Sequence, residues 1–455
     1  MINNGANGRL TSKMLLGFTI TALLLVASVP FSVESAGPVG RSELDRANAS
    51  LLGVAASDNS GRSVACAGDV NGDGYDDVLV GAPNNDEAGT NAGKVYLIFG
   101  KGSAWSLDTT LAVASASFLG VNAGDQAGFS VAGAGDVNGD GYDDILVGAP
   151  DARTGMSSGK VYLIFGGVSG WTLNTSLSSA PASFVGGIFI YPDKTGYSVA
   201  GAGDVNGDGY DDFLVGAPYR RIVGPPTDYI GIVFLIVGKS LGWATNVSIS
   251  SSAAASFIGE NRGALPSMYG SVNSYAGWSV DGAGDINGDG YDDILIGSCG
   301  WTQATDITPP PPWPQNPRIY QVLREKGKAY LILGKSSGWA LNDPLASAAS
   351  ESYVGQAAND LAGRSVVSVG DVDRDGLDDF LIGAPGNDDL GGDRGQVYLV
   401  EGHTSNWGTN YPLNAASASY TGENNGDQIG QSVAGAGDID RDGFDDFLMG
   451  SPYND

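Results

Sequence analysis

The sequence predicts an all-β fold, a β-propeller built from four-stranded blades stacked around an axis. Three observations predict it. A run close to GDVNGDGYDD recurs six times, with leading aspartates at Asp69, Asp136, Asp204, Asp285, Asp371 and Asp438, so that copies stand 67, 68, 81, 86 and 67 residues apart. A fixed period marks an array of repeats. The runs flanking each copy read as strands, Gly- and Ala-rich before it and of the DILVGAP kind after it. Two strands of each repeat are apolar at successive positions, which requires cover on both faces, and radially stacked copies of one sheet provide it. A solenoid is the competing architecture, but its turns are shorter than these repeats.

In chain order, the first element is an export signal. Arg9 and Lys13 precede an apolar run from Met14 to Val29, followed by Pro30 and small residues to Ser35 and Ala36. That pattern reads as a signal peptide over 1–35, cleaved after Ser35, with a linker over 36–48 and the propeller over 49–455. An uncleaved anchor is the alternative, though the run is short for a membrane span. The second repeat shows the unit. Its first strand carries Ala132, Gly133, Ala134 and Gly135, small enough to crowd round an axis. Then follow the acidic loop, a strand containing Ile145 to Val147, a polar loop, a strand from Val161 to Phe165, a Trp-containing loop and the outer strand ASFVG. Trp105, Trp171, Trp243, Trp339 and Trp407 recur at one register after the third strand, as packing between blades.

Each acidic run spaces its oxygens as a calcium loop does. Positions 1, 3, 5 and 9 are Asp69, Asn71, Asp73 and Asp77, then Asp136, Asn138, Asp140 and Asp144, then Asp204, Asn206, Asp208 and Asp212. The later copies give Asp285, Asn287, Asp289 and Asp293, then Asp371, Asp373, Asp375 and Asp379, then Asp438, Asp440, Asp442 and Asp446. Position 7 offers the carbonyls of Tyr75, Tyr142, Tyr210, Tyr291, Leu377 and Phe444. A hard cation takes about six to eight oxygens, and Gly74 at position 6 permits the converging turn. Position 12 lacks the Glu of an EF-hand, and the flanks are strands, so the loop closes a hairpin. Ordinary Asp-Gly turns are the plain alternative. Six copies with the same donors would instead crowd like charges unless a cation stood between them. Up to six Ca²⁺ are expected.

The net charge of −28 is concentrated in these loops, which hold about half of the 51 acidic residues. The acidity is thus mostly metal-site chemistry, and with no basic stripe nucleic-acid binding is excluded. The two cysteines, Cys66 and Cys299, are expected to fill small buried positions without a disulfide. Sequons begin at Asn48, Asn174 and Asn246. A single histidine, His403, and no nucleophile motif or cofactor fingerprint argue against an enzyme.

The unit resembles the FG-GAP repeat of the integrin α-subunit β-propeller. Its paired signatures stand as Gly61-Arg62 with Gly81-Ala82-Pro83, Gly128-Phe129 with Gly148-Ala149-Pro150, and Gly196-Tyr197 with Gly216-Ala217-Pro218. They drift to Gly277-Trp278 with Gly297-Ser298-Cys299, Gly363-Arg364 with Gly383-Ala384-Pro385, and Gly430-Gln431 with Gly450-Ser451-Pro452. A loop in every repeat is similar to prokaryotic members. The resemblance implies a seven-bladed ring, so the sixth repeat is incomplete and a seventh is missing, with ASLLG at Ala49 to Gly53 supplying a closing outer strand. It also implies a secreted or cell-surface adhesion or protein-recognition module. A lectin-like propeller and a structural surface or matrix component are the alternatives.

Connectivity places the calcium loops on one rim and the longer insertions on the other, at Tyr219 to Ile230, Glu260 to Ala276 and Gly300 to Lys326. They carry Tyr219, Arg220, Arg221, Tyr229, Tyr269, Tyr275, Trp301, Trp313, Arg318, Tyr320 and Arg324, the residue types enriched at binding hot spots. A protein or glycan ligand is expected on that face.

Overall fold

The computed structural model describes residues 49–155, 157–187, 192–221, 228–260, 273–306, 320–389 and 391–454. The expected signal peptide and linker, the sequon at Asn48, and Tyr269, Trp313 and Arg318 lie outside the described residues. Among those described, no helix is long and apolar enough to cross a membrane.

Six hairpins, one per acidic loop, are the frame. In the second repeat, Ser130–Gly135 pairs antiparallel with Asp144–Thr154, which pairs with Ser157–Ile164, which pairs with Ala182–Val185. That is a four-stranded blade. The first, third, fourth and fifth repeats repeat the order, and the sixth contributes the hairpin Ser432–Gly437 with Asp446–Gly450. The inner strands pack side by side in chain order, from Ser63–Gly68 through to Ser432–Gly437.

Blades are stitched to their neighbours. A two-residue strand from each blade lies parallel to the outer strand of the blade before, as Thr175 lies on Phe118 and Val247 on Phe184. By the same register Leu51–Leu52 pairs with Thr109–Thr110, which puts it in the outer-strand position of a blade preceding the first. It is not paired with the sixth hairpin among the described residues.

The continuous apolar runs do face cover on both sides. Leu79, Val95 and Leu97 of the first blade share a core with Val131, Ile145, Val147 and Tyr162 of the second, and corresponding cores lie between the later blades. The signature glycines sit at those seams. A Cβ on Gly148 would stand 2.2 Å from the carbonyl oxygen of Gly196, so the GAP glycine of one blade exists to admit the leading glycine of the next. Trp171 meets Phe99 and Phe118 of the preceding blade edge-on, at 6.0 and 6.3 Å between centroids.

One expectation is corrected. Cys299 is buried, but Cys66 is exposed, because its strand ends the row of inner strands and has a neighbour on one side only. Asn174 and Asn246, which open two of the sequons, are exposed. Both adopt left-handed backbone, φ 62° and 57°, and their N–H groups donate to Ser117 and Ser183 of the preceding outer strand.

Candidate metal rim and recognition face

Each acidic loop is folded by its own first carboxylate. Asp136 Oδ1 accepts from the N–H groups of Gly139 and Asp140 at 2.7 and 3.0 Å, and Oδ2 accepts from Gly141 at 2.8 Å. Asp140 Oδ1 then accepts from Tyr142 N. The last carboxylate, Asp144, is buried; Asn138 faces it, and Gly166 N donates to it at 2.8 Å. The same bonds recur around Asp69 and Asp204. The structure thereby brings the predicted oxygens to one turn.

In the fifth and sixth loops it gathers carboxylates alone. Oxygens of Asp371, Asp373 and Asp375, and of Asp438, Asp440 and Asp446, lie within 4.8 Å of one another. In the first four loops Asn takes the place of Asp at position 3, and no three carboxylates there form such a group among the described residues; the position-9 Asp77 accepts from the Asn71 amide and from Gly100 N. The donors are oxygens throughout, which suits a hard cation such as Ca²⁺. Burial, reinforced by neighbouring carboxylates, pushes Asp144 up to about 8, Asp212 and Asp293 to about 7, and Asp77 and Asp379 to about 6. A divalent charge would reverse that shift.

Position 8 is not idle. Asp143 Oδ2 accepts from the N–H of Asp69, the opening residue of the loop before, at 2.7 Å, and Asp211, Asp292 and Asp378 do the same one blade further on each time. The position-7 side chain adds a lid: a Cβ on Gly72 would meet the Tyr142 ring at 2.5 Å. In the fifth loop Arg374 replaces that glycine, lies 4.1 Å from the Phe444 ring centroid and donates to the Asp442 carbonyl at 2.6 Å. The six loops are therefore one linked rim.

The inner strands run from the opposite face to this rim, roughly 20 Å over six residues. At their far ends the second residue of each signature pair forms a chain of contacts. Arg62 stacks on Phe129 at 4.4 Å, Phe129 meets Tyr197 at 4.9 Å, Tyr197 meets Trp278 at 4.9 Å, Arg364 stacks on Trp278 at 4.4 Å, and Arg364 Nε donates to Gln431 at 3.2 Å. The repeat signature quoted these residues, but their meeting needs the blades placed round an axis. From Tyr197 and Trp278 the cluster continues into Tyr219, Tyr275 and Tyr229, and Arg221 lies over the Tyr229 ring at 4.1 Å.

The other predicted ligand-face residues separate. Arg220 pairs at 3.6 Å with Asp193, whose side chain is 1% exposed, so it serves the fold. Trp301 stands apart, at the outer edge of the fourth blade. Arg324 is exposed beside Glu325, at the turn that returns the hairpin Gln303–Asp306 and Tyr320–Leu323, where Tyr320 pairs through its backbone.

The profile of the FG-GAP repeat matches residues 61–98, 127–164, 195–235, 276–306 and 362–400. This chain is an FG-GAP repeat protein. It is similar to integrin alpha pat-2 of Caenorhabditis elegans, 30% identical over 259 residues, which is 53% of this chain and 18% of the relative. It is also similar to integrin alpha-V of Gallus gallus, 31% over 240 residues, 53% of this chain and 20% of that one. With integrin alpha-PS2 of Drosophila melanogaster the identity is 34% over 237 residues, 51% and 14% of the two chains. The match thus spans a fifth or less of these relatives. Five repeats of this FG-GAP protein carry the profile; the sixth hairpin keeps the same register at Ser432↔Gly450 and the same loop bonds.

Proposed function

We propose that this FG-GAP chain is a secreted or cell-surface recognition module of the integrin-α-like kind, non-enzymatic, whose six rim loops each hold a Ca²⁺ and whose opposite face engages a protein. The observation that carries the reading is the axial chain from Arg62 to Gln431 with the tyrosine cluster beside it. Aromatic rings and guanidinium groups held in place by one another offer large contact area at small entropic cost. In each loop Asp or Asn at positions 1, 3, 5 and 9 would hold the ion, which supplies the positive charge that crowded carboxylates lack.

Two measurements test the two halves. With a dissociation constant near ~10⁻⁴ M, ~1 mM calcium adds about 1.4 kcal/mol per site, or about 8 kcal/mol over six independent sites. Thermal unfolding in calcium and in excess chelator should therefore give widely separated midpoints, and coincident midpoints refute structural calcium. Beads coated with the chain should adhere to cells of the source organism, and Arg221→Glu with Tyr229→Ala should abolish adhesion at an unchanged melting temperature. Undiminished adhesion by that variant refutes the face.

A further inference from the structure

Two guanidinium groups converge on the axial end of the molecule. Arg62 and Arg364 each lie 4.4 Å from a ring centroid, of Phe129 and Trp278 respectively, and Tyr197, which touches both rings, feels both positive charges. Among the described residues no carboxylate lies within ion-pair distance of either arginine, and the Arg62 side chain makes no hydrogen bond. Arg364 donates from Nε to Gln431 and lies beside the buried Cys299 thiol. A guanidinium offers five N–H donors in a flat fork, so these contacts leave most of both forks unused.

The chain has 51 acidic residues against 23 lysines and arginines, so a cation left without a carboxylate is conspicuous. Other basic residues find one: Lys94 holds Glu87, Lys194 holds Asp151, Lys328 holds Glu260 and Arg220 holds Asp193. The repeat does not require arginine at this position. Phe129, Tyr197 and Trp278 occupy it in the second, third and fourth blades, where ring contacts alone fill it. Arg62 is exposed, yet loss of water round its guanidinium pushes it below its ordinary value; Tyr197 opposes that shift and the Arg364 charge adds to it. An anion set between the two forks would remove the cost.

The surroundings select the anion. Half-buried Phe129, Tyr197 and Trp278 stand between the two arginines in the chain of contacts, so a carboxylate reaching the forks is held by paired, charge-assisted hydrogen bonds where there is little water. A net charge of −28 opposes the approach of an extended polyanion such as a nucleic acid or a sulfated glycan, because that field acts before contact. An isolated acidic side chain among apolar neighbours meets the forks and the rings together.

We propose that the axial mouth captures an acidic side chain of the protein partner, an Asp or Glu gripped between Arg62 and Arg364. The inference rests on the protein-recognition reading and gives that partner its chemistry. A fluorescently labelled peptide amide with two glutamates set among tyrosines and glycines, and the same peptide with glutamine in both places, are titrated by anisotropy into the full chain in ~1 mM calcium. The glutamate peptide should bind saturably and more weakly as salt rises, and the glutamine peptide about tenfold or more weakly. Arg62→Gln and Arg364→Gln should each reduce affinity for the glutamate peptide about tenfold, the first at an unchanged melting temperature because its side chain bonds to nothing in the fold. Lys239→Gln, which removes the same charge from an exposed lysine elsewhere, should leave binding unchanged. No binding of the glutamate peptide, equal binding of the two peptides, full binding by Arg62→Gln and Arg364→Gln, or tighter binding of a deoxythymidine decanucleotide or of heparin would overturn it. If both peptides bind alike while Arg221→Glu with Tyr229→Ala still abolishes adhesion, the carboxylate is refuted and the recognition face stands, so the two readings fail separately.

Discussion

Asp143 and Asp140 are three residues apart and carry opposite duties. Asp140 folds its own loop toward the ion position, whereas Asp143 reaches back to hold the backbone N–H that opens the loop of the blade before. A carboxylate–amide bond of this kind contributes about 1–3 kcal/mol when partly buried. Asp143→Ala should therefore lower the unfolding free energy by that amount in denaturant titrations while calcium stoichiometry by isothermal titration stays whole. Asp140→Ala should lose one ion. The clustering of the loop's oxygens could be read from spacing alone because all of them lie within nine residues. The duty of position 8 could not, since its partner is 74 residues away.

Each acidic loop ends on a carboxylate carried into the following strand, buried in the first five repeats. Burial holds the position-9 carboxylates above their unfolded value, so the folded chain binds protons that the unfolded chain has released. Without calcium, that stabilisation is complete below about pH 4 and is lost as pH rises through about 6 to 8. Melting temperatures in chelator should accordingly fall between pH 5 and pH 8, and saturating calcium should flatten or reverse the trend; a chelated protein that gains stability over that range contradicts the reading. Strand identity was legible from apolar runs. A second polar repeat was not: Asp58, Asp125, Asp193, Asp360 and Asp427, each three residues before a signature glycine, are all buried. Surrounded by loop-like sequence, they look like surface residues until the connecting segments are seen folded against the blades.

Across the molecule the cores lie between blades, and no blade holds one by itself. Leu146, fully buried in the second blade, belongs to a cluster with Phe213, Val215 and Phe234 of the third. Leu146→Ala should cost about 2–5 kcal/mol, and the loss should appear as a lower midpoint of one cooperative transition, followed by calorimetry. Separate melting of the second blade would contradict it. The repeat count and the order of strands within a blade were open to the sequence, because they follow from period and connectivity. The parting of the expected ligand-face residues was not, because Tyr229 joins the axial aromatic cluster while Trp301 packs against Lys328 of the fourth blade.

The reach of the position-8 aspartates Asp143, Asp211, Asp292 and Asp378 into the preceding loop gives the rim a direction. It makes the rim a one-dimensional lattice with nearest-neighbour coupling, in which ordering one loop presents a better-placed latch to the loop before it. Occupancy should then spread as domains of filled sites, with a Hill slope above one. Breaking a single link in the middle would divide the lattice into two shorter ones that fill independently, so the steepness of the isotherm, more than its midpoint, measures how far the blades act together.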